Sequence, residues 1–271
     1  MIITPQMVLL NYPRTGSTWA RGVVRHLHGV EASGLARRLA RTRLGWRGFH
    51  ELTLPIDRTA SARRERRRSQ HGSWRQIPSW ARGREVVSVG RDPLVQLESM
   101  YHHGFWRDYP PAPLDEVRRV LPGFPDLDLG EYLTLLERFA LPDVLQGARP
   151  PAEVGVLTAH FLRFFHPRPD EVLRGLTDED LDGERLLAEL PPVRLLRTER
   201  LRAELGEVLR AQGHAPSAIE EAMDHSDALH RNASPRRAGR ARAGLTAELR
   251  ERVAHRERLL VRLFPALEAA P

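Results

Sequence analysis

The stretch Val8-Leu9-Leu10-Asn11-Tyr12-Pro13-Arg14-Thr15-Gly16-Ser17-Thr18-Trp19 indicates the fold. Its apolar start predicts a short buried strand, and Pro13 and Gly16 end that strand in a tight turn rich in hydroxyl groups. From Trp19 to Leu27 apolar residues recur at helical spacing, which predicts the first helix. A strand, a tight turn and a helix N-terminus together favour an anion site, because the free N–H groups of the first helical turn point at the ligand.

The composition limits the class of protein. A chain of 271 residues is long enough for one large α/β domain or two small ones. It has no cysteine, which excludes disulfides, cysteine-based metal sites and a cysteine nucleophile, and no lysine, so that all 42 basic residues are arginine. The net charge of +7 suits an anionic cofactor, an acidic substrate or nucleic acid. With no signal-peptide pattern and no long apolar run, we expect a soluble, cytoplasmic protein without a membrane span.

A second strand–turn–helix unit follows later in the chain. Residues 86–89 predict a β-branched strand, and Asp92-Pro93 starts a helix with the aspartate as its N-cap. Arg91 therefore lies at the C-terminal end of the strand, and Ser99 lies two turns into the helix. This spacing places a guanidinium and a hydroxyl where they could bind one phosphate group.

In this order and at this separation, the two motifs resemble those of the PAPS-dependent sulfotransferases. The first is similar to the family's 5′-phosphosulfate loop, roughly Tyr-Pro-Lys-Ser-Gly-Thr-Thr-Trp, with Arg14 in place of the lysine. The second is similar to the family's 3′-phosphate motif, in which a serine follows the arginine by eight residues, as Ser99 follows Arg91. The resemblance implies 3′-phosphoadenylyl sulfate (PAPS) as donor, the bisphosphate PAP as product, a small-molecule acceptor and no metal.

The resemblance also implies which residues form the site. Catalytic roles fall to His71, Arg14 and Ser99. Residues that would contact the cofactor are Arg14, Thr15, Gly16, Ser17, Thr18, Trp19, Arg91, Ser99, Arg236, Arg237 and Gly239. In this scheme the first loop holds the phosphosulfate, the Trp19 ring lies against the adenine, and Arg91 and Ser99 bind the 3′-phosphate. The last three residues match only loosely the family's basic loop near the C-terminus, and a disordered basic loop would look the same.

His71 is the candidate general base. It precedes Gly72 and a Pro-terminated loop, a setting that presents an imidazole, and the unperturbed pKa of histidine near 6.5 suits proton abstraction at neutral pH. Many sulfotransferases carry their catalytic histidine in a Lys-Thr-His setting, whereas this chain has Ser69-Gln70-His71. An exposed loop histidine is the competing interpretation, and Glu51 is the second choice as base.

Strands that alternate with helices, without a repeat or linker, predict one α/β domain over residues 1–271. We expect a P-loop-type parallel sheet flanked by helices on both faces, with ligands bound beyond the C-terminal strand ends. Residues 104–151 are rich in proline and predict no single structure, apart from one amphipathic segment around residues 129–139. Residues 245–267 predict an amphipathic helix. Five aromatic residues favour an apolar or aromatic acceptor: Trp46, Phe49, Phe105, Trp106 and Tyr109.

Two other classes of function remain possible from the sequence. A P-loop kinase would require a Walker lysine and an aspartate that holds Mg²⁺, but the chain has no lysine and Asp92 is better explained as a helix cap. A non-catalytic polyanion-binding protein would explain the positive charge, but it leaves the two motifs as a coincidence. The sulfotransferase interpretation includes no nucleic-acid partner and leaves the oligomeric state open.

Overall fold

The computed structural model describes residues 1–31, 33–42, 44–230 and 246–265. Arg236, Arg237 and Gly239, which were expected to contact the cofactor, lie outside the described residues. The strands are β1 (Ile2–Ile3), β2 (Met7–Leu10), β3 (His50–Glu51), β4 (Leu54–Pro55), β5 (Arg68–Ser69), β6 (Glu85–Gly90) and β7 (Val193–Arg197).

Helices make up most of the regular structure in these residues. The α-helices are α1 (Ser17–Leu27), α2 (Gly34–Ala40), α3 (Ala60–Arg64), α4 (Pro93–His103), α5 (Phe105–Asp108), α6 (Leu114–Val120), α7 (Leu129–Leu135), α8 (Leu141–Leu145), α9 (Val156–Phe165), α10 (Pro169–Gly175), α11 (Asp178–Asp182), α12 (Arg185–Ala188), α13 (Leu201–Ala211), α14 (Pro216–His230), α15 (Ala247–Arg256) and α16 (Arg258–Leu263). Single turns of 3₁₀-helix span Trp74–Gln76, Ser79–Ala81 and Thr198–Arg200, and Leu136–Ala140 is π-helical. None of the described helices is long and apolar enough to cross a bilayer.

The main sheet has five strands in the order β3-β1-β2-β6-β7. Strand β6 pairs in parallel with both β2 and β7, whereas β1 is antiparallel to β2 and β3. The sheet is therefore mixed, and the expectation of a parallel sheet holds only for its three strands β2, β6 and β7. The reason is the short turn after β1, in which the Thr4 N–H donates to the Met7 carbonyl (2.8 Å), since so short a connection joins only antiparallel strands.

Strands β1, β2 and β6 are almost entirely buried, whereas the edge strand β7 is only partly buried. One face of the sheet packs under α1, α13 and α14, and its core contains side chains such as Met7, Leu9, Val87, Val89, Val23, Val24, Leu205 and Met223. Residues of the opposite pleat, including Ile3, Val8 and Leu10, are also fully buried. Helices thus pack against one face of the sheet. That helices also cover the second face stays a prediction.

Contacts group the described residues into two compact units, each built from three separate stretches of chain. The first contains residues 1–56, 67–91 and 192–230, apart from residues 32 and 43, and carries both sheets with α1, α2, α13 and α14. The second contains residues 57–66, 92–191 and 246–265 and is helical. The prediction of a single domain over the whole chain stays a prediction.

The second unit corrects two expectations from the sequence. Residues 104–151 are largely helical. The amphipathic segment expected around 129–139 forms α7, which starts with reciprocal hydrogen bonds between Asp128 and Glu131, but α6 before it and α8 after it were not expected. The predicted C-terminal helix begins as expected, with the Thr246 hydroxyl accepting from the Leu249 N–H (3.2 Å), but it is divided at Glu257. The buried Glu257 carboxylate accepts hydrogen bonds from the backbone N–H groups at the start of α9. The helical pattern of the sequence does not predict this contact.

His28, which follows α1, is partly buried. Its ring centroid lies 5.4 Å from that of Phe49 and 5.7 Å from that of His214. Burial, with a smaller effect from His214, lowers the pKa of His28 from 6.5 to about 4. Between these values the unfolded chain binds a proton that the folded chain does not, so the free energy of unfolding falls as the pH falls through this range.

We predict that His28→Leu weakens the acid sensitivity of the fold. On going from pH 7 to pH 4.5, His28 should cost the wild type about 2 kcal/mol of its free energy of unfolding, and the variant should lose this contribution. Urea unfolding at both pH values measures the difference. His102→Gln, at an exposed position, serves as the control and should behave like the wild type. Equal pH dependence in wild type and His28→Leu would contradict the assignment.

Candidate functional site

Three parallel strands end at one edge of the main sheet. The register pairs Leu10 of β2 with Ser88 of β6, and Gly90 of β6 with Arg197 of β7. The loop 11–16 follows β2, Arg91 follows β6, and Thr198 follows β7. The structure therefore brings Arg14 and Arg91 to the C-terminal edge of the strands, within the first unit, where such sheets bind ligands.

The loop 11–16 is shaped around the carbonyl oxygen of Tyr12. This oxygen accepts the Thr15 hydroxyl at 2.9 Å and the Ser17 hydroxyl at 2.6 Å. Both donors are buried, and so is the Tyr12 ring. The two hydroxyls that the sequence analysis placed in the turn thus make internal bonds, which fix the shape of the loop, whereas Gly16 and Thr18 are exposed.

The backbone of this loop favours an anion. Arg14 has a φ of 64° and Gly16 a φ of 81°, while Thr15 between them is not in the positive range. Alternation of left-handed residues with residues of ordinary φ is the backbone pattern of anion-binding concavities, so the loop is a candidate for one. The Trp19 N–H donates to the Gly16 carbonyl at 3.0 Å. The N–H groups at the very start of a helix have no carbonyl one turn back to which they could donate. The loop thus joins a helix N-terminus to an arginine.

Thr198 ties this loop to the neighbouring strand. Its hydroxyl oxygen lies 2.8 Å from the Thr15 carbonyl oxygen and 2.8 Å from the Gly90 carbonyl oxygen. A hydroxyl has one hydrogen, so it donates to one of the two at a time. This bridging contact could not be expected from the sequence, because it joins residues far apart in the chain.

Trp19, the predicted adenine contact, is fixed to α14. Its indole N–H donates to Asp227 at 2.8 Å, and its carbonyl accepts the Ser226 hydroxyl at 2.9 Å. The ring is partly buried against the core under the sheet. These contacts give Trp19 a structural role, and its contact with adenine stays a prediction.

His71 lies at the start of the loop. Its ring nitrogen Nδ1 is 2.6 Å from the carbonyl oxygen of Asn11, the first residue after β2. Because a carbonyl only accepts, Nδ1 carries the hydrogen, and in the neutral ring the basic lone pair is on Nε2. The candidate base is therefore held beside the candidate anion loop in the tautomer that a base requires.

Glu51, the second choice as base, is part of a buried ion-pair cluster. Its carboxylate contacts Arg21, and it lies 3.4 Å from Arg25 and 3.7 Å from Arg41. Burial lowers the pKa of Arg21, and the Glu51 carboxylate partly offsets that effect. A carboxylate that already contacts three guanidinium groups is occupied, which suits a structural role.

Ser99 and Asp92 lie in the second unit. The Asp92 side chain accepts the Val95 N–H at 3.0 Å, which confirms the predicted N-cap of α4, with Pro93 at its first position. Ser99 is partly buried on the same helix. Arg91 is in the first unit, so the joint grip of Arg91 and Ser99 on one phosphate stays a prediction.

The five aromatic residues expected at the acceptor site divide into two groups. Phe49 and Trp106 are buried, and Trp46 packs against the core of the first unit, so these three serve the fold. Phe105 and Tyr109 are exposed, and their rings stack with centroids 4.5 Å apart. Only these last two remain as surface candidates from that set.

A groove of about 1040 Å³ opens in the first unit. Trp80, which the sequence analysis did not single out, is 52% exposed there, with its ring centroid 4.9 Å from that of His50 and 5.1 Å from the Arg84 guanidinium carbon. The lining combines apolar and cationic side chains and includes Leu44, Leu54, Trp80, His50, Arg41 and Arg68. An aromatic or anionic small molecule fits such a surface.

Comparison of the chain with protein-family models, with curated proteins and with solved structures finds no match.

We predict that Thr198→Val loosens the loop. The variant keeps the shape of the side chain but removes the donor to two carbonyl groups, which should lower the free energy of unfolding by about 1–2 kcal/mol. Thr198→Ser keeps the hydroxyl and should stay close to the wild type. Thr134→Val, which removes a hydroxyl bonded within its own helix at 3.1 Å, is the matched control. Urea unfolding measures all four proteins, and equal losses for Thr198→Val and Thr134→Val would contradict the bridging role.

Proposed function

We propose that this chain is a sulfotransferase that moves the sulfuryl group of PAPS to a hydroxyl, or a similar nucleophile, of a small-molecule acceptor. The observation that carries the proposal is the bond between His71 and the Asn11 carbonyl. It places an imidazole, with Nε2 as its basic nitrogen, directly beside a loop whose backbone favours an anion. This transfer needs a loop that binds the phosphosulfate group and a general base close to that loop.

The transfer would proceed in line. The acceptor oxygen attacks the sulfur while its proton passes to Nε2 of His71, and the bond from sulfur to the bridging phosphate oxygen breaks, leaving its electron pair on the phosphate of PAP. The N–H groups of the loop and the Arg14 guanidinium would stabilise the charge that develops on the departing phosphate. Fixed donors of this kind need no reorganisation during the reaction, which is why they lower the barrier.

Arg91 would supply the selectivity for the cofactor. It follows β6 at the same strand edge as the loop, and the resemblance gives it, together with Ser99, the 3′-phosphate. That phosphate separates PAPS and PAP from ATP and ADP. A guanidinium binds phosphate in two parallel hydrogen bonds, so its removal should affect the bisphosphate far more than a nucleoside diphosphate.

The groove at Trp80 is our candidate for the acceptor site. Its wall includes Arg68 in β5, three residues before His71, and its lining pairs an exposed aromatic ring with arginines. We therefore infer an aromatic acceptor. An acidic substituent on this acceptor would pair with Arg41 or Arg68. This agrees in kind with the sequence expectation but moves the expected contacts from Phe49 and Trp106 to Trp80.

Two other functions are less well supported. A P-loop kinase needs a carboxylate for Mg²⁺ at this edge, but Asp92 uses its side chain to cap α4. A polyanion-binding protein would suit the net charge of +7, although some arginines, such as Arg202, are held by acidic neighbours, here Glu220, Asp224 and Asp227. Neither alternative explains a histidine fixed at the loop.

We predict that the chain binds adenosine 3′,5′-bisphosphate and that Arg91→Ala weakens this binding at least 30-fold, about 2 kcal/mol, because one charge-assisted phosphate contact is lost. Calorimetric titration with the bisphosphate, and with ADP in the presence of Mg²⁺, measures both affinities. Arg194→Ala, on the neighbouring strand with solvent-exposed ion pairs, is the control and should bind normally. Equal binding of both nucleotides would favour the kinase, and binding lost at moderate salt would favour a polyanion binder.

We predict that His71→Gln lowers sulfuryl transfer by a factor of about 10²–10⁴, the usual contribution of a general base. The affinity for the bisphosphate should stay within about threefold of the wild type, because the imidazole acts on the acceptor and not on the cofactor. The assay follows the release of the bisphosphate from PAPS with 2-naphthol as acceptor. His50→Gln, in the groove, provides the comparison, and its effect should fall on the KM for the acceptor. A His71→Gln variant with normal turnover would remove the histidine from the mechanism.

A further inference from the structure

A cluster of ligating side chains lies at the C-terminal end of α1, at the opposite end of that helix from the anion loop. His26 in the last turn of α1, Glu31 just beyond it and His225 on α14 present ligand atoms that all lie within 4.8 Å of one another. His225 Nε2 is 2.9 Å from Glu31 Oε2, and the two imidazole rings have centroids 4.4 Å apart.

A fourth donor approaches the same cluster. Glu221 lies one helical turn before His225 on α14, and its carboxylate oxygen Oε1 is 3.6 Å from Nε2 of His26. Residues four apart share one face of a helix, so Glu221 and His225 present their side chains together. We propose that His26, Glu31, Glu221 and His225 form a site for a divalent transition-metal ion of the Zn²⁺ type, which joins α1 to α14.

The donor set fits this class of ion. Two imidazole nitrogens and two carboxylate oxygens are ligands that Zn²⁺ accepts in a tetrahedral arrangement, and the two carboxylates balance its charge. Hard ions such as Mg²⁺ prefer a complete set of oxygen ligands, so the two imidazoles select against them. Donors about 2.1 Å from a tetrahedral ion are about 3.4 Å apart, so Glu31 and His225 need to separate by about half an ångström. Glu221 is outside the group of three donors that lie within 4.8 Å of one another, so its exposed side chain must rotate toward Glu31 and His225 to complete the set.

The surroundings support entry and orientation of the ion. The four side chains are partly exposed, from 25% for Glu31 to 76% for Glu221, so an ion can reach them from solvent. The Arg25 Nε lies 3.4 Å from Glu31 Oε1, which holds that carboxylate and leaves Oε2 toward His225. Outer contacts of this kind orient metal ligands. Arg25 places a positive charge near the ion, but the Glu51 carboxylate, 3.4 Å from the Arg25 guanidinium, partly balances that charge.

The ion would have a structural role. Helix α1 starts at the anion loop, and α14 carries Ser226 and Asp227, which hold the backbone and the indole of Trp19. An ion that joins the two helices would therefore stabilise the pair on which the loop is mounted. This proposal is independent of the sulfotransferase proposal, and either can fail without the other.

Titration of the chelator-treated full chain with Zn²⁺, by competition with a chromogenic chelator, tests the site. We expect one equivalent bound, no competition by Mg²⁺ at a hundredfold excess, and a melting temperature raised by about 5 °C. Substitution with Co²⁺ should give the visible absorption of a tetrahedral ion. No saturable binding, or Co²⁺ absorption of a six-coordinate ion, would overturn the proposal.

His26→Gln and His225→Gln should each weaken Zn²⁺ binding at least tenfold and abolish the rise in melting temperature. The matched control is His255→Gln, because His255 also has a glutamate partner, Glu153 at 3.8 Å, but lies in the second unit. It should bind as the wild type does. Glu221→Gln, at the most exposed ligand, provides a variant whose folding is not in question. Unchanged binding in all three ligand variants would show that the ion binds elsewhere and overturn the assignment.

Discussion

The carbonyl oxygen of Tyr12 is the point on which the candidate site depends. Two buried hydroxyls, from Thr15 and Ser17, converge on it within a loop that leaves a strand and enters a helix. Each neutral hydrogen bond contributes about 1 kcal/mol net, and a buried carbonyl left without donors would cost about 1–3 kcal/mol. The loop therefore has one favourable shape. With its hydroxyls directed inward, the surface that it offers to a ligand is backbone and the Arg14 charge.

The same loop also fixes the position of the imidazole. His71 comes from a distant segment after β5, yet it binds the carbonyl of the first loop residue. Thr198 adds a second long-range contact, since its hydroxyl reaches both the loop and the end of β6. The His71 imidazole, the loop and the strand edge are thus connected through main-chain carbonyls. Substitutions of surface side chains around this region should disturb the geometry only slightly.

Local signals made the central elements predictable. The strand, turn and helix at 8–27 and the cap at Asp92 are encoded within a few residues of sequence, and both are present in the structure. The antiparallel β1 was missed because two residues carry no periodicity. In residues 104–151 the segment that forms α7 was predicted, but helices such as α6 and α8 were missed because prolines were taken as breakers, although Pro113 immediately precedes α6 and Pro142 lies in the first turn of α8. The roles of Thr198, Trp80 and the His26 cluster arise from contacts between distant segments, which a single sequence does not show.

Arg14 shows a conflict between folding and chemistry within one residue. Its φ of 64° lies in a region that glycine occupies freely and other residues rarely adopt. A side chain in that conformation costs on the order of 1 kcal/mol or more of folding free energy. Glycine at this position would relieve the backbone but leave the loop without its cation. The chain therefore gives up part of its stability to keep a charge at the turn, and the most stable sequence for this loop differs from the one best suited to hold an anion.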